Sequence, residues 1–282
     1  MSYKYQTNRY RKGFRWRVKS PKRIKMKMSP VVFSQTEKLY HYTTLDNAIA
    51  IISTGCFRMS KFEKMNDINE SYRPILCYIE DYDSDKDYEK LDVAERELQN
   101  YRQASMTIDD TLPGFALSTM WGHYADNGKG VCIVFDKWLL LEKLRIGGAY
   151  YPLRIKYTDN YDCNIFITGD PAKYFRDNIN ALFFEKSDEW KHEQEFRIIR
   201  YCRDKPSNFY VNDCIIAIIM CYGEEGSQND EPVFNSANYR RLKSLFPDIP
   251  ILEWSNGPCG YTLRDDDDKS WYPEPEKYDI DI

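Results

Sequence analysis

The sequence predicts an α+β fold, a mixed or antiparallel sheet core with flanking helices. Three observations lead there. Of 282 residues, 42% are hydrophobic and 15% aromatic, enough to bury one large core or two modest ones. Strand-like and helical runs both occur, but they follow neither a repeating strand–helix alternation nor an all-strand order. The periodic apolar residues occupy about 36–264 as a single domain, between a basic arm at 1–35 and an acidic tail at 265–282.

Leu39-Tyr40-His41-Tyr42 reads as a short strand. Thr43 stands three residues before Asp46, a capping-box spacing, and Leu45, Ala48, Ile49 and Ile52 follow at i, i+3, i+4 and i+7 until Gly55 stops the helix. A second strand covers Phe57–Ser60. Residues 70–104 combine helical periodicity with many charges, broken near Pro74 and at the acidic turn 81–87, and predict a helical insertion. Phe115–Ser118 then reads as a strand ending at Ser118, followed by a helical piece through Trp121 and Tyr124, a turn at Asn127–Gly130 and the strand Val131–Phe135. Further strands are expected at Leu153–Tyr157, Glu195–Tyr201, Asp213–Met220 and Ile251–Trp254, with helices at about 171–186 and 236–246.

The formal charge of −4 selects no partner, but it is a sum of unlike parts. The first thirty residues hold eleven Lys or Arg and no acid, which leaves −15 for the remainder, and residues 265–282 carry a net −6. No apolar stretch follows the basic start, and the longest apolar run, Ile215–Tyr222, is too short to cross a bilayer, so a cytoplasmic location is expected. The eight cysteines are scattered, several inside apolar runs, and no Cys-x-x-Cys occurs; reduced thiols are expected and a structural zinc is not.

Glycine-rich phosphate loops, Gly-x-Ser-x-Gly elbows and His-Glu-x-x-His helices are absent. Four polar groups in aromatic settings remain as candidates. His41 and Tyr42 end a strand, where the imidazole either meets a ligand hydroxyl or is satisfied by local backbone. Asn66-Asp67 with Glu70 either caps a helix or supplies carboxylates. Ser118-Thr119-Met120-Trp121 with His123 and Tyr124 either walls a pocket for a planar ring or packs in the core. In Trp190-Lys191-His192-Glu193-Gln194-Glu195-Phe196-Arg197, strand alternation from Glu193 puts Glu193, Glu195 and Arg197 on one face, a solvated surface or a site.

These same groups carry a resemblance. His41-Tyr42-Thr43, Asn66-Asp67-x-x-Glu70, Met120-Trp121-Gly-His123-Tyr124-Ala-Asp126 followed by Gly130, and Trp190-x-x-Glu193-x-Glu195-x-Arg197 together resemble the bacterial domain of unknown function 2971 over about residues 38–225. More distantly, a His-Tyr strand, a strand ending in Ser-Thr and a Glu-x-Glu strand are similar to the three-part signature of ADP-ribosyltransferases. That resemblance implies NAD as substrate and no metal. It implies that His41 holds a ribose, that Ser118 supports the nicotinamide pocket, that Tyr42, Trp121 or Tyr124 covers the ring, that Glu195 bonds the ribose 2′-hydroxyl and that Glu193 meets the acceptor. The acceptor is open: a protein, a nucleic acid or a small molecule fits, as do a toxin, a phage-defence effector and a housekeeping modifier. The structural requirement is that His41, Ser118 and Glu195 converge on one cleft.

Two other readings use the same residues. Asp67, Glu70, Glu193 and Glu195 gathered around Mg²⁺ would suit a nuclease. The arm, in which Tyr3, Tyr5, Tyr10, Phe14 and Trp16 interleave with cations, would suit a nucleic-acid-binding module or a solvated tail.

Overall fold

The computed structural model describes residues 28–62, 76–78, 84–148, 150–159, 161, 165–167, 169–203, 207–221, 233–257 and 260–272. The arm before residue 28, the Asn66-Asp67-Glu70 group and the tail beyond 272 lie outside the described residues.

In chain order the elements are α1 (Pro30–Gln35), β1 (Lys38–Thr43), α2 (Leu45–Thr54), β2 (Cys56–Arg58), β3 (Leu76–Tyr78), α3 (Ser84–Leu98), β4 (Tyr101–Ile108), α4 (Ser118–Tyr124), β5 (Val131–Asp136), α5 (Lys137–Gly147), β6 (Tyr150–Arg154), β7 (Lys156–Thr158) and β8 (Ile165–Ile167). They continue with α6 (Pro171–Asp177), α7 (Ile179–Phe183), β9 (Glu185–Ser187), a 3₁₀ turn (Asp188–Glu193), β10 (Glu195–Tyr201), β11 (Asn208–Tyr210), β12 (Ile215–Cys221), α8 (Ala237–Leu245), β13 (Ile251–Gly257) and β14 (Gly260–Arg264). Eight strands form one sheet in the order β14-β13-β12-β5-β1-β4-β10-β6. All of its pairings are antiparallel except β12 with β13, so the fold is α+β with a mixed, mostly antiparallel sheet.

Alternation along the strands builds two apolar faces. Leu39, Ala104, Met106, Ile133, Phe135 and Ile198 point to the face covered by α2, α5, α8 and the small β2–β11 ribbon. Tyr40, Tyr42, Cys132, Val134 and Ile219 point to the opposite face, beneath Phe33 of α1, Trp121 of α4 and Trp271. Beside them, Tyr101 and Ile199 bury against α3, α6 and α7 through Ala94, Leu98, Phe175 and Phe183.

Several expectations shift. Thr44, not Thr43, caps α2, its hydroxyl accepting from the Asn47 amide, while Gly55 ends the helix at φ 64 as expected. The expected insertion at 70–104 resolves into β3, α3 and the start of β4; Tyr101–Ile108 is a strand buried on both faces, in which Gln103, Ser105 and Thr107 alternate with Ala104, Met106 and Ile108. No strand runs through Phe115–Ser118, because Ser118 already opens α4. The expected helix at 171–186 is two short helices followed by β9, and the strand at Leu153–Tyr157 is divided between β6 and β7. Packing also reaches past 36–264: Phe33 meets Trp271 edge-on at 5.6 Å, and both are buried.

The pairing of β1 positions the site. It follows β5 along its whole length, from Lys38↔Asp136 to Thr43↔Val131. Against β4 it pairs only at Leu39↔Ile108 and Tyr40↔Thr107, while β4 stays in register with β10 from Tyr101 to Thr107. The sheet therefore opens between β1 and β4. Backbone groups facing such an opening need other partners. Ser60 supplies two, its amide donating to the Gln103 carbonyl and its carbonyl accepting from the Gln103 amide, each at 2.8 Å. His41 supplies a third, to Ser105.

Candidate active site

The opening is the floor of a cleft of about 910 Å³. One side comes from β1, α2 and β2, with His41, Asn47 and Arg58; the other from β4, β9, β10 and the end of α4, with Ser105, Tyr124, Lys186, Glu193, Glu195 and Arg197. This size is that of a small-molecule site.

His41 stands where β1 and β4 separate. Its Nδ1 lies 3.2 Å from the Ser105 carbonyl oxygen, and the ring packs edge-on to Phe57 at 4.5 Å. A carbonyl only accepts, so Nδ1 carries the proton and Nε2 keeps its lone pair. Burial lowers the imidazole pKa to about 4, against the opposing pull of the Ser105 bond. His41 is therefore a neutral acceptor at pH 7.

A buried ionic group occupies the other side. Arg197, 1% exposed, holds the Glu195 carboxylate in a two-pronged bond, Nε to Oε1 at 2.7 Å and Nη2 to Oε2 at 2.9 Å, and its Nη1 donates to the Phe183 carbonyl at 2.9 Å. Lys186 donates to Glu193 at 2.7 Å and reaches Glu195 at 3.4 Å, with its ammonium 4.6 Å from the centre of the Trp190 ring. The Tyr124 hydroxyl donates to the remaining Glu193 oxygen at 2.6 Å. Burial by itself raises the Glu195 carboxyl, but the charges of Arg197 and Lys186 and the bonds from Arg197 and Ser105 outweigh it and bring the pKa down to about 2. Two carboxylates thus face two cations with no net charge.

Local sequence explains how Glu193 and Glu195 converge. Glu193 ends the 3₁₀ turn and is not in the strand, contrary to the alternation expected from residue 193. Gln194 then turns the chain at φ 47, and its amide grips the Ile108 and Leu112 carbonyls at 2.8 and 2.9 Å while accepting from the Leu112 amide at 3.0 Å. That turn returns the Glu193 carboxylate to the side of β10 that carries Glu195 and Arg197. Lys186 completes the join.

Of the residues expected at the site, His41, Tyr124, Glu193 and Glu195 line the cleft. Ser118 does not: it is exposed at the first position of α4. The three-residue convergence that the transferase resemblance requires is therefore not met: His41 and Glu195 share the cleft, and Ser118 lies outside it. Trp121 is core, its indole donating to the Phe115 carbonyl at 2.8 Å and stacking on Trp254 at 5.3 Å with 3° between the planes. Tyr42 borders the cleft, but its hydroxyl is spent on the Gly114 carbonyl at 2.6 Å and its ring on Trp121, so it offers no stacking face. Asp67 and Glu70 lie outside the described residues, and no group of three or more metal-ligating side chains occurs among those that are described. Sequence reasoning missed Ser105, Lys186 and Arg58. Had 101–108 been read as a strand, alternation would have put Gln103, Ser105 and Thr107 on the Tyr101 face.

No helix among the described residues is long and apolar enough to cross a membrane. No curated protein and no solved structure matches the chain. Residues 120–198, the stretch holding Tyr124, Lys186, Glu193, Glu195 and Arg197, match the model of the family described as Protein of unknown function (DUF2971).

Proposed function

We propose that the cleft binds NAD and cleaves its nicotinamide–ribose bond, passing ADP-ribose to an acceptor that nothing on the chain identifies. The observation that carries the reading is that His41 of β1 shares one cleft with Glu193 and Glu195, from the turn into β10, across the opening of the sheet. In the reaction the C1′–N bond breaks and its electron pair returns to the nicotinamide ring. The acceptor supplies a new pair to C1′ and loses its proton to solvent. Positive charge develops on the ribose meanwhile, and a fixed carboxylate beside the sugar stabilises it.

The roles differ from those the resemblance implies. Glu195 is committed to Arg197, Lys186 and Ser105, whereas each Glu193 oxygen has one protein partner here and keeps a lone pair for a ligand. Glu193 is thus the better stabiliser of the sugar and Glu195 the residue that orients Lys186. His41 accepts from a ribose hydroxyl through Nε2. Ser118 has no part, and the serine at the site is Ser105. The nuclease reading is weaker because the two described carboxylates are already neutralised by Lys186 and Arg197.

Nicotinamide release by the purified protein tests this. Glu193→Gln is expected to lower the rate of the folded protein by about 10²–10³, the loss typical of removing one electrostatic stabiliser, and to lower the melting temperature as well, because buried Lys186 loses a charged partner. Failure of NAD to bind, or an undiminished rate in Glu193→Gln, overturns the reading. Mg²⁺-dependent breakdown of DNA or RNA that Glu193→Gln abolishes would favour the nuclease instead.

A further inference from the structure

The cleft is electrically lopsided. Its described lining carries three cations, Arg58, Lys186 and Arg197, against two carboxylates, Glu193 and Glu195. Lys186 and Arg197 are paired with those carboxylates in the buried group. Arg58 is not: its exposed guanidinium makes no ion pair or hydrogen bond among the described residues. The two charged regions also lie on opposite sides of the sheet. Arg58 belongs to the β2 ribbon layered on the face of Leu39 and Ile198, whereas Glu195 and Arg197 alternate with Phe196 and Ile198 and point to the other face.

Arg58 is also firmly presented. Asn208 pairs with it across the ribbon, and Phe57 beside it stacks on Phe209 at 5.1 Å with 14° between the planes. The Met59 amide donates to the Ser207 carbonyl at 2.8 Å, and Ser60 is bridged to Gln103 of β4. The strand is tied to the β11 segment on both sides of residue 58 and to β4 at Ser60, so little backbone freedom remains to be lost on binding. An unpaired guanidinium on a fixed strand beside a cleft suits a phosphate, which takes two parallel N–H bonds from it.

We infer that Arg58 is the anchor for the pyrophosphate of the ligand, so that the cleft selects a nucleoside diphosphate over a nucleoside and receives it with the phosphates toward β2 and the sugar toward Glu193. The orientation rests on the NAD reading; the anion preference does not.

Calorimetric titration of the full chain with ADP and with adenosine separates the two. ADP is expected to bind the wild type at least about tenfold more tightly than adenosine, the range for a charge-assisted bidentate contact. Arg58→Ala should erase that preference without weakening adenosine binding, and Arg58→Lys should restore part of it. The eleven cations of the arm are present in every variant, so their contribution cancels from the change in preference between the wild type and Arg58→Ala. Equal affinity for ADP and adenosine in the wild type, an undiminished preference in Arg58→Ala, or no ADP binding at millimolar concentration overturns the inference. An ADP preference lost in Arg58→Ala without any nicotinamide release leaves the anchor standing and removes the transferase reading. Nicotinamide release by Arg58→Ala with an unchanged KM does the reverse.

Discussion

His41 and Glu195 both have depressed pKa values, but they act in different pH windows. The ordinary imidazole value is 6.5 and that of folded His41 about 4, so below pH 6.5 the unfolded chain takes up a proton that the folded chain resists. The stability His41 confers is complete above 6.5 and is lost as pH falls toward 4, at up to about 1.4 kcal/mol per pH unit. Glu195 is ionised when folded down to about 2 against an ordinary 4.5, so its contribution is complete above 4.5 and fades between 4.5 and 2. The urea midpoint should therefore begin to fall already below pH 6.5. His41→Asn, whose amide can still donate to the Ser105 carbonyl, should remove the upper window and leave the lower one; an unchanged profile would contradict the neutral imidazole. At this scale the sequence was partly legible. His41, Tyr124, Glu193 and Glu195 stood out because their neighbours are aromatic or alternate. Ser105 and Arg58 did not, because what matters about them comes from strands that lie far apart in the chain.

Among the elements, the turn that leads into β5 shows why a glycine stands at 130. A Cβ there would lie 2.3 Å from the Thr43 carbonyl oxygen and 2.9 Å from that of Ala125, both backbone atoms with no freedom to move aside. Gly130→Ala should destabilise the fold by about 1–3 kcal/mol, the range for forced overpacking, and denaturant unfolding measures it. Because the turn joins α4 to β5, the same variant should displace Tyr124 and weaken its hold on Glu193. Elements with a clean signal were read correctly, notably β1, α2, β5 and β10. Tyr101–Ile108 was not, since Tyr101, Ala104 and Ile108 also fit the spacing of a helix face and the start of the segment falls within the expected helical insertion, although Gln103, Ser105 and Thr107 alternate with Ala104, Met106 and Ile108. Phe115–Ser118 misled for a related reason: apolar residues that pack as a loop over Tyr40 and Tyr42 look like a buried strand.

For the whole molecule, both ends of the described chain belong to the packed body. Phe33 and Trp271 touch, Tyr272 packs edge-on to Phe115 at 5.2 Å, and the Trp271 indole donates to Asp265 at 2.9 Å. A chain cut to residues 36–264 should thus lose about 3–5 kcal/mol, the usual effect of deleting a buried large aromatic, and melt at a lower temperature than a chain spanning 28–272. The α+β class was legible from composition and element order. The strand order was not, because β1 lies between β4 and β5, and β4 pairs with β10, from Thr107↔Glu195 to Tyr101↔Tyr201, far along the chain; such pairings are fixed by tertiary packing.

The joint between β1 and β4 has a mechanical meaning. Five strands, β14 to β1, form one leaf and three, β4 to β6, the other, and among the described residues the sheet's own strands meet across the joint only at Leu39–Ile108 and Tyr40–Thr107. A sheet joined by a full ladder resists bending between its strands, whereas two residue pairs at one end act as the pivot of a pair of tongs. Farther along the opening, the Ser60–Gln103 bridge and the bond from His41 to the Ser105 carbonyl are the ties that oppose its widening. A ligand held as proposed, between Nε2 of His41 and the carboxylate of Glu193, would span the joint and tie one leaf to the other.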